Sequence, residues 1–177
     1  HRIWVICGDG DLMEGVSHEA ASLAGHQKLG RLVVVYDDNQ ITIDGSTDLT
    51  FSDNTQQRFE AYGWHVRNLG EASENTDLLE SALHDAAGIE DQPSLLIVRS
   101  HIGFPAPNAV DTPGAHGAIT DDEEIAAAKL AMGFDPQVDF RVDDDVLEAY
   151  REAGSKGAEA HAEWKLRVAR SNLDVSW

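Results

Sequence analysis

This chain has little that would staple it, anchor it or draw it to polyanions. Its 177 residues include one cysteine, Cys7, so no intrachain disulfide can form. Cys7 sits in an apolar run and has no CxxC partner, so it reads as a buried small hydrophobe rather than a redox group. No apolar stretch approaches the ~18 residues of a membrane span, and no signal-peptide pattern opens the chain; a cytoplasmic setting is expected. Basic residues are scarce, 13 Lys and Arg against 32 Asp and Glu, for a net charge of −19. Such a surface repels nucleic acid and anionic membranes, which excludes both as partners. A phosphorylated ligand is not excluded, because a bound metal inverts the local sign. An initiator Met is also missing: His1-Arg2 leads straight into an apolar run, so the expectation is a chain that starts inside a larger protein.

Apolar residues make up 42% of the chain, enough for the core of one domain. Two short motifs dominate. Ile3-Trp4-Val5-Ile6-Cys7 ends in Gly8-Asp9-Gly10, and Val33-Val34-Val35-Tyr36 ends in Asp37-Asp38-Asn39-Gln40-Ile41. Each is an apolar run closed by a turn carrying hard oxygen donors: the Asp9 carboxylate, the Asn39 amide oxygen and the Ile41 carbonyl. Mg²⁺ and Ca²⁺ take oxygen ligands, and Mg²⁺ is commonly completed by a phosphate of its substrate or cofactor. The pair therefore points to metal-assisted diphosphate binding. Gly10, lacking a side chain, lets its backbone approach a phosphate oxygen, and the following helix aims its amide end at the same place. A dinucleotide fingerprint fails, because GxGxxG needs a glycine at Met13 and finds it at Gly15. No 12-residue run has EF-hand spacing.

Strands are predicted at Ile3 to Cys7, Leu32 to Tyr36, from Trp64 to Val66 onward, and at Ser94 to Arg99. Ile41 to Ile43 forms a short extended segment that turns at Asp44-Gly45. Helices are predicted at Glu14 to Leu29 (Gly30 as its stop), Thr55 to Tyr62 (capped by Asp53 or Asn54), Asp77 to Ala87 (capped by Asn75 or Thr76) and Asp121 to Met132 (capped by Thr120). One or two more fall between Asp143 and Arg170, and Ser171 to Trp177 reads as a tail or linker. Alternating strands and helices predict an α/β fold, a parallel sheet flanked by helices, with a helical C-terminal segment. Ligands of such sheets bind beyond the carboxyl ends of the strands, where Asp9, Asn39 and Ser100 to Gly103 all fall. Residues 104–117 form a long loop ending in Ala115-His116-Gly117, and long ordered loops are often functional. His116 is a candidate proton-transfer group. Glu14 and Glu19 read first as surface charge. The remaining histidines, which show no zinc spacing, read as surface or packing residues. Trp4, Phe59, Tyr62 and Trp64 are expected in the core.

The run GDGDLMEGVSHEAASLAGHQKLGRLVVVYDDNQITIDG closely resembles transketolase, as do RFEAYGWHV, PSLLIVRSHIGFPAPN and AHG. These blocks lie in order along nearly the whole chain. The resemblance implies a partial thiamine diphosphate-binding domain over residues 1–135, and over 136–177 a helical extension leading to an interdomain linker. It implies thiamine diphosphate as cofactor, with Asp9, Asn39 and the Ile41 carbonyl holding Mg²⁺ or Ca²⁺ and Gly10 on the diphosphate. Ile102 would pack near the cofactor. His116 would touch the diphosphate and assist proton transfer, with Glu14 as a further catalytic and cofactor-contacting residue. Glu14 and Glu19 would link two active sites across a homodimer interface. The implied reaction passes a two-carbon ketol unit from a ketose phosphate to an aldose phosphate in the pentose phosphate pathway or Calvin cycle, with the cofactor supplying the ylid and electron sink. A pyrimidine-binding domain, or a second subunit, would complete the site, and the chain alone is expected to be inactive. Pro113 stands where many relatives carry a second histidine. Alternatives are a non-catalytic cofactor-binding subunit of a split transketolase and a fragment of a related dihydroxyacetone synthase.

Overall fold

Branched apolar runs at Leu32–Asp38 (β2) and Ser94–Arg99 (β6) form the two central strands of a four-stranded sheet. β2 pairs in parallel with Ile3–Gly8 (β1), and β6 with His65–Asn68 (β5), giving the order β1-β2-β6-β5. The computed structural model describes residues 1–171; beyond Ser171 the expected tail lies outside the described residues. The described chain divides into two compact units, His1–Pro136 and the segment from Gln137 onward.

In the first unit, Asp9–Met13 (α1), Gly15–His26 (α2) and Thr55–Ala61 (α3) supply one layer, and Thr76–Gly88 (α4) supplies the other. Two-residue alternation along the strands sorts the core. Val34, Tyr36, Leu95 and Ile97 face one cluster with Leu12, Ala21, Ala24, Phe59 and Trp64. Val33 and Leu96 face another with Ala82 and Ala86. The chain travels from β1 to β2 in one direction and from β5 back to β6 in the other. A constant crossover hand therefore puts α4 on the face opposite α2. Trp64 donates its indole N–H to the Ala21 carbonyl at 2.8 Å and meets Phe59 edge-on at 5.0 Å.

The helix expected from Glu14 begins there as α2, with Glu14 as its N-cap, and ends at His26; a short helix that the Gly-Asp-Gly turn did not announce, α1, precedes it. α1 and α2 are separated at Glu14, whose backbone is extended (φ −66°, ψ 135°). The Leu12 carbonyl near this break accepts from Ser17 Oγ and from the Arg58 guanidinium. Gly30 is not a helix stop; a Cβ there would lie 2.0 Å from the Glu90 carbonyl oxygen, so its reason is close packing. The caps resolve to Asn54, Asn75 and Asp121, each accepting from a backbone N–H three residues on; Thr120 lies one residue too early. Trp4 corrects the expected core: it is 50% exposed, and Ile6 80%, because β1 is an edge strand with little packed over either face. Cys7 is half-buried rather than buried.

Ile41–Thr42 (β3) and Gly45–Ser46 (β4) pair as a small antiparallel ribbon after β2. Asp122–Ala131 (α5) follows the long loop after β6. The second unit contains Asp144–Ser155 (α6) and Ala158–Arg170 (α7), whose residues are almost all exposed. Among the described residues no helix is long and apolar enough to cross a membrane.

Candidate functional site

Register brings the two motifs to one edge. Gly8 lies opposite Asp37, and Asp38 opposite Arg99, so the chain leaves β1, β2 and β6 at the same carboxyl end of the sheet. Asp9 is only 3% exposed. Its Oδ1 accepts from the Tyr36 hydroxyl at 2.6 Å, and its Oδ2 from the backbone N–H groups of Asn39 at 3.0 Å and Gln40 at 2.8 Å. The carboxylate of the first motif thus sets the backbone of the second. Asn39 is oriented in turn: its Nδ2 donates to Asp37 at 3.0 Å, and its Oδ1 accepts from the Ile41 N–H at 2.9 Å. Asp37 also accepts from Ser100 Oγ, which ties this turn to the end of β6.

The loop after β6 is held by two carboxylates. Glu124, buried at the start of α5, accepts from the Asn108 and Ala109 N–H groups at 2.6 and 2.8 Å and from Asn108 Nδ2 at 2.8 Å. Asp111, at φ 56°, faces His101, and its N–H donates to the Ile102 carbonyl at 3.0 Å. Gly103 requires its residue type: φ is 76°, and a Cβ would approach that of Ala115 to 2.8 Å. This close contact seats the single-turn segment Pro113–His116.

Between these loops lies a cleft of about 590 Å³ lined by Asp9, Gly10, Glu14, Asn39, Ile41, Ile102 and His116, among others. Seven of the eight residues expected at a site meet there; Glu19 does not line it and stands exposed on α2. The lining includes four carboxylates, Asp9, Asp11, Glu14 and Asp44, and no Lys or Arg. On the other side of Asp9 a second hollow, of about 480 Å³, is lined by Tyr36, Asp38, Asp48 and Asp53.

These carboxylates set the local titration. Burial first, then the hydrogen bond to Asp9, push the Tyr36 hydroxyl far above its usual range, so it stays a donor. Asp38 is raised by burial and by Asp9, against the pull of Arg99. The Cys7 thiol is pushed up to about 12 by burial and by Asp11, Asp9 and Asp37. That keeps it an unreactive thiol, in keeping with a packing role.

The donor set fits a hard cation. Asp9 already accepts three hydrogen bonds of the roughly four a carboxylate can take, and Asn39 Oδ1 accepts one. Each keeps a lone pair. Among the described residues no group of three or more His, Cys, Asp or Glu is arranged to hold a metal. One carboxylate, one amide and one carbonyl leave coordination positions for phosphate oxygens or water. The backbone at Gly10 fits a phosphate: a Cβ built there meets nothing within 4 Å, leaving open space in the cleft.

Three groups that organise the site carried no clear mark in the sequence. Tyr36 ends an apolar strand and reads as core. Glu124 sits among the acids of a helix first turn. His101 reads as a surface histidine, yet both its ring nitrogens face carboxylates.

A parallel α/β domain with oxygen donors and a bare glycine gathered at its carboxyl edge is the architecture of a phosphate-cofactor-binding domain. Comparison with known proteins gives the family. Residues 1–175 match "Transketolase, thiamine diphosphate binding domain". The chain is 46% identical over 166 residues to a transketolase of Mycobacterium tuberculosis, covering 94% of this chain and 24% of that protein. It is 44% identical over 174 residues to one of Bacillus subtilis, covering 96% and 26%. Among solved structures, transketolase from Leishmania mexicana superposes with a TM-score of 0.84 at 39% identity, over 96% of this chain and 25% of that one. Pichia stipitis transketolase in complex with sedoheptulose-7-phosphate gives 0.83 at 36%, over 95% and 25%. The chain belongs to the transketolase thiamine diphosphate-binding domain family, and it spans about a quarter of the length of these relatives.

Proposed function

We propose that this chain supplies the metal and diphosphate half of a thiamine diphosphate site, in an enzyme that transfers a two-carbon ketol unit from a ketose phosphate to an aldose phosphate. The observation that carries this reading is the composition of the cleft: oxygen donors from both motifs, a bare glycine backbone and no Lys or Arg. A diphosphate entering such a cleft needs a divalent cation to offset the carboxylates. Asp9, Asn39 and the Ile41 carbonyl hold Mg²⁺ or Ca²⁺, and the Gly10 backbone receives the diphosphate. Ile102 gives the cofactor an apolar contact. His116, exposed at the mouth, contacts the diphosphate and moves a proton near the donor sugar. Bound thiamine diphosphate supplies the carbon nucleophile and electron sink for breaking the carbon–carbon bond.

Glu14, set into the cleft by the helix break, and Glu19, on the exposed face of α2, are placed to meet a second subunit. A homodimer, or a pyrimidine-binding domain, completes the site. Residues 1–135 form the cofactor domain and 136–177 its extension, helical over α6 and α7, and the chain by itself does no ketol transfer.

Calorimetric titration of the full chain with thiamine diphosphate, with and without Mg²⁺, tests this. Heat is expected only with Mg²⁺. Gly10→Ala adds a methyl group into open space within α1, where alanine is the better helix former, so it should leave the melting temperature unchanged or slightly raised while abolishing that heat. Equal heat in both proteins, or heat that does not need Mg²⁺, overturns the reading.

A further inference from the structure

We infer that His101 is a positioning residue of the cofactor cleft: as an imidazolium clamped between Asp111 and Glu71, it holds closed the loop that presents Ile102 and His116, and it loosens that loop on deprotonation. This rests on the proposed role of the cleft.

The geometry is specific. Nδ1 of His101 lies 2.8 and 3.1 Å from the two Asp111 carboxylate oxygens, and Nε2 lies 3.2 Å from Glu71. Carboxylates only accept, so both contacts are hydrogen bonds only when both ring nitrogens carry protons. The neutral ring must give one up. The two partners come from different parts of the chain: Asp111 closes the loop's own ring, and Glu71 lies in the segment after β5. The clamp therefore pins residues 101–111 both to themselves and to the sheet. Within that ring the Asp111 N–H bonds the Ile102 carbonyl and the Ala106 N–H bonds the Gly103 carbonyl. Ile102, Ala115 and His116 line the cleft. His101 does not line it, so it acts through the loop.

The charged groups facing the ring are Asp111, Glu71 and, from the end of β6, Arg99. The Asp111 hydrogen bond is the largest influence and raises the histidine above its ordinary range; partial burial and Arg99 oppose it, and Glu71 adds to it. A histidine raised in the folded state lends its stabilisation fully below its ordinary value of ~6.5 and loses it as pH rises through the folded value. The loop is thus tightest in mild acid and loosens toward alkaline pH.

The test follows amide exchange protection of Asp111 and Ala106 in the full chain between pH 6 and 9, beside NMR titration of the His101 ring. Each rate is divided by its intrinsic rate. Protection is expected to fall by about two- to fivefold, the range of exposed ion pairs, with the midpoint of the His101 titration. Asp111→Asn and Glu71→Gln, both at exposed positions, should fold as the parent does and flatten the pH dependence. Protection that ignores His101 ionisation, or a dependence that survives in both variants, overturns the inference. Thiamine diphosphate titrations with Mg²⁺ run on the same samples separate the two claims. A His101-dependent loop beside cofactor heat that does not need Mg²⁺ counts against the proposed function and leaves the clamp standing.

Discussion

The turn after β2 and the loop after β6 both reach the cleft, but they are held in different ways. The turn is fastened by one buried carboxylate, Asp9, bonding two backbone N–H groups and a buried tyrosine. The loop is fastened on one side by the buried Glu124, which also bonds two backbone N–H groups, and on the other, nearer the surface, by the exposed His101, Asp111 and Glu71. Buried and backbone-directed bonds fix the place where a metal would sit. Surface ion pairs, screened and individually weak, leave the His101 side of the loop adjustable.

Asp9→Ala is the most severe way to break this contrast. It strands three neutral donors of the tight turn and should cost about 3–5 kcal/mol, at roughly 1–3 kcal/mol for each buried donor left without a partner. Chemical denaturation measures the loss, and metal-dependent cofactor heat should vanish with it. Tyr36→Phe is milder: it removes one donor from a buried carboxylate and should cost about 1–3 kcal/mol, with a smaller loss of cofactor affinity. Glu124→Gln probes the loop. Three hydrogen bonds hold the Glu124 carboxyl below its usual range. Its stabilisation is therefore present above the ordinary glutamate value and lost as pH falls through the folded one. The variant should melt earlier than the parent at pH 7, and the gap should close in acid. Glu19→Gln sits outside both the turn and the loop and should change stability by less than about 0.5 kcal/mol. A large shift in the isolated chain would show that α2 carries load that its exposure hides.

Most of the fold was legible because each strand ends in a turn that declares itself. The apolar runs of β2 and β6 and the Gly-Asp-Gly and Asp-Asp-Asn turns place the carboxyl edge before any coordinates exist. Family-specific blocks then point to the same residues. What stayed hidden depends on long-range geometry. Nothing local to Tyr36 says that its hydroxyl meets Asp9, and nothing in Asp121-Asp122-Glu123-Glu124 singles out the last as the one turned inward. Trp4 misled because hydrophobicity reports what a strand would bury, whereas its exposure depends on which neighbours β1 has. The short helix α1 is not announced by its sequence, because Gly-Asp-Gly reads as a turn and glycine disfavours helix. Tertiary contacts to the Leu12 carbonyl, from Ser17 and Arg58, accompany its separation from α2.

The bonds around Asp9 also order events in time. They span 27 to 31 residues of chain, whereas Ser100 reaches Asp37 across 63. Closing the longer loop costs about 0.7 kcal/mol more entropy, and contacts close in sequence tend to form sooner. Loop closure therefore favours the β1-α-β2 unit closing around its own aspartate before β6 and its loop dock onto the turn. The half of the cleft built from sequence-local bonds is the half whose closure costs the chain least.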